Sequence, residues 1–150
     1  EGGKVIQFPE DDVRVMGRAA AGVRGMKVAD SDALIEGCVV GSQDMYIFTI
    51  SETGMGKISS LEEYREQGRG GSGIKVSATT TKTGKIIAAF TLSEEEKQAK
   101  SVILVSRSGQ TVRLPLADIR ITGRNTQGVI LAKLKDTDDT FTSATLAEEE

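Results

Sequence analysis

The chain has 150 residues, of which 38% are hydrophobic and 4% aromatic, and its 19 basic and 22 acidic residues give a formal net charge of −3. It contains no His, which removes the commonest general base and zinc ligand, and the lone Cys38 excludes an intramolecular disulfide and a thiolate metal site. No stretch approaches about 18 apolar residues, so we expect no membrane span, and no residues suggest catalysis, a metal or a cofactor.

Short Val- and Ile-rich runs separated by Gly, Asp, Ser and Thr predict strands throughout the chain, with little helix. The predicted strands lie at 5–8, 23–28, 34–40, 45–50, 73–78, 85–92, 102–106, 111–114, 129–134 and 140–145. Hairpin turns are predicted at 51–54 and 106–109, and one helical turn at 60–63. The segment 93–96 has the form of a capping box, but little follows it, so 93–100 is interpreted as a charged loop.

One motif occurs three times and divides the chain into similar units. An acid, an apolar residue and an Arg are followed by a Gly-Arg pair and then a Gly-apolar pair, with copies at offsets of 51 and 55 residues. Gly3, Gly54 and Gly109 keep the same offsets. A period of about 50 residues is typical of one propeller blade per repeat. We therefore predict an all-β fold with repeats at 1–44, 45–98 and 99–136, followed at 137–150 by a final strand and the start of an acidic, disordered tail.

The first repeat lacks a part that the other two have. Repeats two and three open with an apolar strand before the shared glycine, whereas the first begins at Glu1. The chain is therefore expected to be a piece of something longer. An incomplete ring would leave open strand edges, which tend to pair with another copy, so self-association of the fragment is an open alternative.

The repeated arginines are the candidate binding residues. Residues 136–150 hold six acids and no base, which leaves 16 acids against 19 bases, a net charge of +3, in the rest of the chain. A guanidinium group forks onto phosphate oxygens, and neighbouring glycines allow close approach. The expected phosphate contacts are the Gly-Arg set Arg18, Arg69 and Arg124, the acid-x-Arg set Arg14, Arg65 and Arg120, and the nearby bases Arg24, Lys27, Lys57, Lys75 and Arg113.

Structural roles compete with binding at several of these positions. In each acid-x-Arg unit the two charges are two residues apart, so on a strand they would share a face and could form a salt bridge. The loop 68–73 matches the G-x-G-x-x-G pattern, but no strand precedes it and a strand follows. We interpret it as a glycine loop whose backbone approaches another surface closely. Cys38 is expected to be buried, and Tyr64 to be a packing residue.

Several stretches resemble the C-terminal domain of the DNA gyrase A subunit, part of a bacterial type II topoisomerase. The most specific stretch is 123–131, and the others are 3–8, 13–18, 22–27 and 54–57 together with Glu63 and Tyr64. The resemblance implies a β-pinwheel, in which propeller-like blades of antiparallel strands carry duplex DNA wrapped around a basic outer rim. The chain would be the C-terminal half of that domain, about three blades forming a partial ring.

The chain departs from the family pattern at one hallmark. The family heptapeptide reads Gln-basic-Arg-Gly-Gly-basic-Gly, whereas residues 67–73 have Gly68 and Ser72 at the two basic positions. This implies DNA binding without a complete wrap, and it keeps the topoisomerase IV counterpart open as an alternative. Nothing matches the cleavage tyrosine or the ATPase of the family. The piece is therefore not an enzyme alone but a non-catalytic part of an ATP-dependent topoisomerase.

The resemblance also implies partners and a location. The partners would be duplex DNA, bound and bent without sequence specificity in support of supercoiling, the remainder of the gyrase A subunit, and the gyrase B subunit. The location would be the bacterial cytoplasm at the nucleoid, and the lone Cys independently favours a reducing compartment. The competing class is a protein-interaction propeller that does not bind nucleic acid.

Overall fold

The computed structural model describes residues 1–42 and 45–148, and within them strands dominate. The strands are β1 (Lys4–Val5), β2 (Tyr46–Ser51), β3 (Met55–Ser60), β4 (Ile74–Lys75), β5 (Ile86–Leu92), β6 (Lys100–Ser106), β7 (Thr111–Pro115), β8 (Val129–Ile130) and β9 (Phe141–Glu148). Short 3-10 turns lie at Glu10–Asp12, Leu61–Glu63 and Leu116–Asp118, and one helix, α1, at Glu94–Ala99. The all-β prediction is confirmed.

The sheets exchange strands between successive repeats. One sheet has the order β5-β2-β3-β8, a second has β7-β6-β9, and β1 pairs with β4 alone. β8 comes from the third repeat but pairs antiparallel with β3 of the second, with Gly56 opposite Val129. In the same way β4 of the second repeat pairs with β1 of the first, with Val5 opposite Ile74. Each repeat therefore covers an edge of the repeat before it.

The two predicted hairpin turns are confirmed. The Gly54 N–H donates to the Ser51 carbonyl at 3.0 Å, and the Gly109 N–H donates to the Ser106 carbonyl at 3.0 Å. Both glycines have positive φ, +82° and +89°, a region that a residue with a Cβ enters only at a cost. The repeated glycine is thus the turn residue of its hairpin.

Two apolar clusters hold the strands together. The larger one packs the inner faces of β2, β5, β6 and β9 around Phe48, Leu104 and Phe141. The smaller one joins β2 to the second 3-10 turn and includes Tyr64, which is only 2% exposed. Tyr64 Oη and Ser59 Oγ lie 2.7 Å apart, and burial raises the pKa of the Tyr64 hydroxyl. The packing role expected for Tyr64 is confirmed.

Two strands predicted in the first repeat do not form. Residues 23–28 and 34–40 are coil, although they match β4 and β5 of the second repeat at an offset of 51 residues. β4 pairs with the preceding repeat, and β5 pairs with β2. Within residues 1–42 and 45–148, no strand stands in the place of either partner for the first repeat. Its backbone groups therefore have no ladder to join, and the strand prediction is wrong there.

Four further expectations are corrected by the structure. β3 is a strand that the sequence pattern does not predict, because glycine and lysine interrupt its alternation. Residues 94–99 form a helix, because Ser93 and Glu96 complete a reciprocal capping box. β9 runs to Glu148, so 146–148 belong to a sheet. Cys38 is exposed, since the segment that would bury it is coil.

Candidate nucleic-acid interface

Three equivalent 3-10 turns present the arginines of the acid-x-Arg units. In each turn the N–H of the residue after the acid donates back to the first carbonyl of the turn, at 2.8, 2.9 and 3.1 Å in the three repeats. That residue is buried as Tyr64 in the second repeat and Ile119 in the third. The next residue turns to solvent. The three residues exposed in this way are Arg14, Arg65 and Arg120.

The acids of these units do not pair with their own arginines. The ion pairs among the described residues join other groups. Asp12 Oδ2 instead accepts the backbone N–H of Arg69 at 3.3 Å, and Glu63 Oε2 accepts that of Arg124 at 2.7 Å. Asp12 and Glu63 thus each bind the Gly-Arg pair of the next repeat, and no ion pair joins an acid-x-Arg arginine to its own acid among the described residues.

The guanidinium groups of Arg69 and Arg124 face the preceding repeat. Arg69 Nη1 donates to the Arg24 carbonyl at 2.7 Å, and its Nε donates to the Asp12 carbonyl at 3.1 Å. Arg124 Nη1 donates to the Lys75 carbonyl at 3.1 Å. Arg24 and Lys75 occupy equivalent positions, so the same bond recurs at both junctions. Both arginines are only partly exposed, and they join repeats.

Arg18 makes no such contact among the described residues, which hold no partner segment for it. Its side chain is exposed, and no hydrogen bond or ion pair to it occurs within residues 1–42 and 45–148. The outward orientation expected for the Gly-Arg set therefore holds at Arg18 and not at Arg69 or Arg124. The motif is the same, and the neighbouring repeat makes the difference.

The glycine loop at 68–73 approaches the first repeat. The Gly70 N–H donates to the Gly25 carbonyl at 2.7 Å, and the Lys27 N–H donates to the Gly71 carbonyl at 2.8 Å. A Cβ at Gly73 would collide with the Val5 carbonyl oxygen. The close backbone approach expected of this loop is thus made to the neighbouring repeat.

Lys57 does not lie on the surface, which corrects its place among the expected phosphate contacts. It is 1% exposed, and its Nζ donates to the carbonyls of Gly123, Arg124 and Thr126 at 3.2, 2.5 and 2.8 Å. Burial lowers the pKa of this amine to about 8. A buried ammonium needs several acceptors, and here they fix the loop that carries Arg124.

The remaining expected contacts are exposed. Arg113 lies on β7, and its Nη2 donates to the Glu148 carbonyl at 2.7 Å. The exposed members of the expected set are Arg14, Arg18, Arg24, Lys27, Arg65, Lys75, Arg113 and Arg120. We call these eight residues the basic set. Guanidinium and ammonium groups presented by backbone turns can bind phosphate oxygens without reading bases.

The sequence did not predict the hydrogen bonds that Asp12 and Glu63 accept from the next repeat. Each carboxylate is 57 or 61 residues from the backbone N–H that it binds, so spacing within one repeat gives no sign of the contact. The sequence did contain one sign of this contact: an acid occupies the same position in every repeat, at 12, 63 and 118.

Within the described part of the chain, no helix is both long enough and apolar enough to cross a membrane.

Antiparallel blades that lend a strand to their neighbour define a propeller-like repeat protein. A family model described as "DNA gyrase C-terminal domain, beta-propeller" matches residues 1–36, 46–93 and 100–147, one segment in each repeat. The chain therefore belongs to this DNA gyrase C-terminal domain family, and the expected β-pinwheel fold is confirmed.

Individual relatives agree with this assignment. The chain is 39% identical over 142 residues to the DNA gyrase A subunit of Kosmotoga olearia, covering 94% of the chain and 17% of the relative. It is 41% identical over 132 residues to that of Pseudomonas aeruginosa, covering 88% and 14%. The chain thus spans about one sixth of the length of the first of these relatives.

Solved structures have the same fold. The structure of a DNA gyrase A C-terminal domain superposes with a TM-score of 0.79 at 25% identity, over 95% of this chain and 47% of that one. The crystal structure of a topoisomerase IV C-terminal domain gives a TM-score of 0.86 at 21% identity, over 98% and 44%. At this identity the second likeness concerns the fold alone.

Proposed function

We propose that this chain is a non-catalytic DNA-binding module of a gyrase A subunit, which binds and bends duplex DNA without sequence specificity. The observation that carries the proposal is the threefold display of Arg14, Arg65 and Arg120 on equivalent 3-10 turns. These side chains are exposed, and none pairs with the acid two residues before it in the described structure. Membership of the gyrase C-terminal domain family supports duplex DNA as the ligand.

The other residues of the basic set would extend the proposed DNA-binding surface. Arg69 and Arg124, which join successive repeats, would set its geometry. Arg69 and Arg124 bind carbonyls of the preceding repeat, so they fix the distance between successive arginine-bearing turns. A rigid spacing matters because bending a 20–30 bp site by 40–90° costs roughly 1–6 kcal/mol. Phosphate contacts spread along an arc must exceed that cost. Within the whole enzyme, this module would support supercoiling in the bacterial cytoplasm, together with the rest of the gyrase A polypeptide and the gyrase B polypeptide.

A salt titration tests the proposal. DNA affinity is measured by fluorescence anisotropy at several salt concentrations for the parent and for the triple variant Arg14→Ala, Arg65→Ala and Arg120→Ala. If each arginine neutralises one phosphate, the slope of log affinity against log salt becomes less steep by about 0.9 per arginine. The affinity at low salt falls with it.

A matched variant controls for the loss of charge. Lys82, Lys133 and Lys135 are exposed and lie outside the repeated turns, so their replacement by Ala removes three charges elsewhere. We expect a much smaller change in slope for this control. Equal effects of the two triple variants would mean diffuse attraction without a defined interface. Unaltered DNA affinity of the arginine variant would favour the protein-interaction propeller.

A further inference from the structure

A loop of the third repeat closes around a buried ammonium group. Lys57 lies on β3 and is only 1% exposed. Its Nζ accordingly donates to the carbonyls of Gly123, Arg124 and Thr126. The loop itself, residues 123–127, is exposed or partly exposed at every position. Its carbonyls therefore face inward because the ammonium group holds them there, and not because the loop is packed inside the protein.

The inward carbonyls place other backbone groups on the outer side of the loop. In a trans peptide the C=O and the N–H of the next residue point in opposite directions, and the described chain has no cis peptide bond. Lys57 holds the carbonyls of Arg124 and Thr126, so the N–H groups of the residues that follow them point away from β3. Those residues are Asn125 and Gln127, which are exposed, and no described group accepts a hydrogen bond from either N–H.

The equivalent loop 68–72 of the second repeat has its central peptide reversed. The Gly70 N–H, at the place of Asn125, donates to the Gly25 carbonyl of the first repeat at 2.7 Å. Gly70 has φ +83°, whereas Asn125 does not have a positive φ. A positive φ at the third residue distinguishes a type II turn from a type I turn, and the two types differ by a flip of the central peptide. The second-repeat loop therefore turns the Arg69 carbonyl outward, where the third-repeat loop turns an N–H outward.

Two differences between the repeats account for the opposite orientations. Ile6 lies 51 residues before Lys57. Its Cδ1 would be 3.4 Å from a Cβ at Gly71, the counterpart of Thr126, so it reaches the same part of the loop without offering a donor to any carbonyl. The second-repeat loop also has glycine at the third turn position, and glycine accepts the positive φ of the reversed peptide.

The charges around the third-repeat loop favour an anion. Lys57 and Arg124 meet at this junction, and Arg124 Nη1 donates to the carbonyl of Lys75, which is also basic. The acid that bonds to the loop is Glu63, and its carboxylate accepts the Arg124 N–H. With a pKa of about 8, Lys57 is mainly charged at pH 7. The outward N–H groups thus lie in a region of net positive charge.

We propose that the loop 123–127 is a phosphate site, in which the N–H groups of Asn125 and Gln127 bind phosphodiester oxygens of duplex DNA and Lys57 positions them. The site rests on the DNA binding proposed above. Backbone N–H groups are common ligands of DNA phosphates. Asn125 is five residues from the exposed Arg120, so the two lie at most about 18 Å apart and can meet the same duplex. The second-repeat loop presents a carbonyl at the place of the Asn125 N–H and lacks that donor.

A neutral donor differs from an arginine in its salt dependence. Counterion release depends on the charges that a protein neutralises on DNA. Loss of an N–H contact therefore lowers DNA affinity and leaves the slope of log affinity against log salt unchanged. Lys57 is buried and does not reach a phosphate itself, so its replacement should act on affinity alone.

The first test is amide hydrogen exchange of the parent chain, measured by NMR with and without saturating duplex DNA. We expect the Asn125 and Gln127 amides to exchange rapidly in the free chain and at least tenfold more slowly in the complex. The Gly70 amide, which is bonded to the Gly25 carbonyl, should be protected in both. Asn125 and Gln127 amides that stay unprotected with DNA would overturn the proposal.

The second test replaces the positioning residue. Lys57→Met keeps an unbranched side chain in the buried space, and the carbonyls of the exposed loop can turn to water, so the variant should fold, which circular dichroism checks. We expect about tenfold weaker DNA affinity, the value of one hydrogen bond to a charged group, with an unchanged salt slope. The matched control is Lys82→Met, which removes an exposed charge outside the loop and should keep the parent affinity within about twofold.

The outcomes separate this site from the proposed function. Unaltered affinity of Lys57→Met would overturn the site, and so would a slope less steep by about 0.9, which would mean that the amine itself neutralises a phosphate. In both cases the DNA binding of the arginines would stand. A parent with no DNA affinity would overturn the proposed function together with the site. A Lys57→Met variant that does not fold leaves hydrogen exchange of the parent to decide.

Discussion

The first and second repeats carry the same motif but have different structures. Residues 85–92 include β5, which pairs with β2 from Tyr46–Leu92 to Ser51–Ile86. The matching residues 34–40 are coil, with Val39 85% exposed. Both segments are mainly apolar, and among the described residues the second has a partner strand whereas the first has none. Strand formation here depends on the partner's backbone more than on the residues of the strand itself.

The largest effect should come from comparing covered and uncovered hairpin glycines. Gly54→Ala and Gly109→Ala both place a Cβ at positive φ, which costs roughly 1–2 kcal/mol. At Gly54 the new Cβ also collides with the Ala132 carbonyl of the next repeat, whereas at Gly109 it enters open space. Overpacking adds about 1–3 kcal/mol, so chemical denaturation should show Gly54→Ala as the more damaging by that amount.

Equal losses for the two glycine variants would contradict the comparison. They would mean that the Ala132 carbonyl of the third repeat does not lie against Gly54 in the second hairpin. The same pair at 25 °C and at higher temperature would show whether the excess cost persists as the fold loosens.

A smaller difference should separate the paired and unpaired arginines. Arg124→Ala removes an exposed hydrogen bond to the Lys75 carbonyl, at a cost of about 0.5–1.5 kcal/mol. Arg18→Ala removes a side chain with no bonded partner in the described structure, so the free energy of unfolding should change by about 0.5 kcal/mol or less. Thermal unfolding of the two variants beside the parent measures both. An Arg18→Ala variant as unstable as Arg124→Ala would show that junction contacts are not what distinguishes them.

The smallest effect should be a pH dependence that belongs to the third repeat. Hydrogen bonds from Ser106 and Ser108 lower the pKa of the Asp139 carboxyl to about 2. Because the folded pKa lies below the ordinary value of 3.8, the carboxylate stabilises the fold above that value, and the contribution is lost as pH falls through about 2. Urea denaturation between pH 4.5 and 2 should therefore show a steeper loss of stability for the parent than for Asp139→Asn. The second repeat has Gly84 at the matching position, so it adds no equivalent titration.

The hairpin turns and the all-β class could be predicted, because they depend on short-range pattern. Ser51–Gly54 and Ser106–Gly109 are each closed by a local hydrogen bond. β3 could not be predicted, because Gly56 and Lys57 look unlike a strand until the next repeat covers them. Lys57 is tolerated there only because three carbonyls from 123–126 surround its amine.

The candidate site was predictable in part for the same reason. The threefold repetition of Arg is visible in the sequence itself, and the structure places Arg14, Arg65 and Arg120 at exposed positions. The two arginine sets differ because one set makes contacts with residues 45 to 61 positions away in the sequence. No local sequence pattern shows such contacts. The structure thus separates residues that carry the same motif into joining and presenting roles.

The most direct test compares these two roles in one experiment. DNA affinity, its salt dependence and thermal stability are measured for Arg65→Ala with Arg120→Ala, and for Arg69→Ala with Arg124→Ala, below the unfolding transition of both. We expect the first pair to make the salt slope less steep by about 1.8 without loss of stability, because about 0.9 is lost per phosphate contact. The second pair should lose stability and keep its slope. An unchanged slope for the first pair, with a reduced slope for the second, would contradict the account.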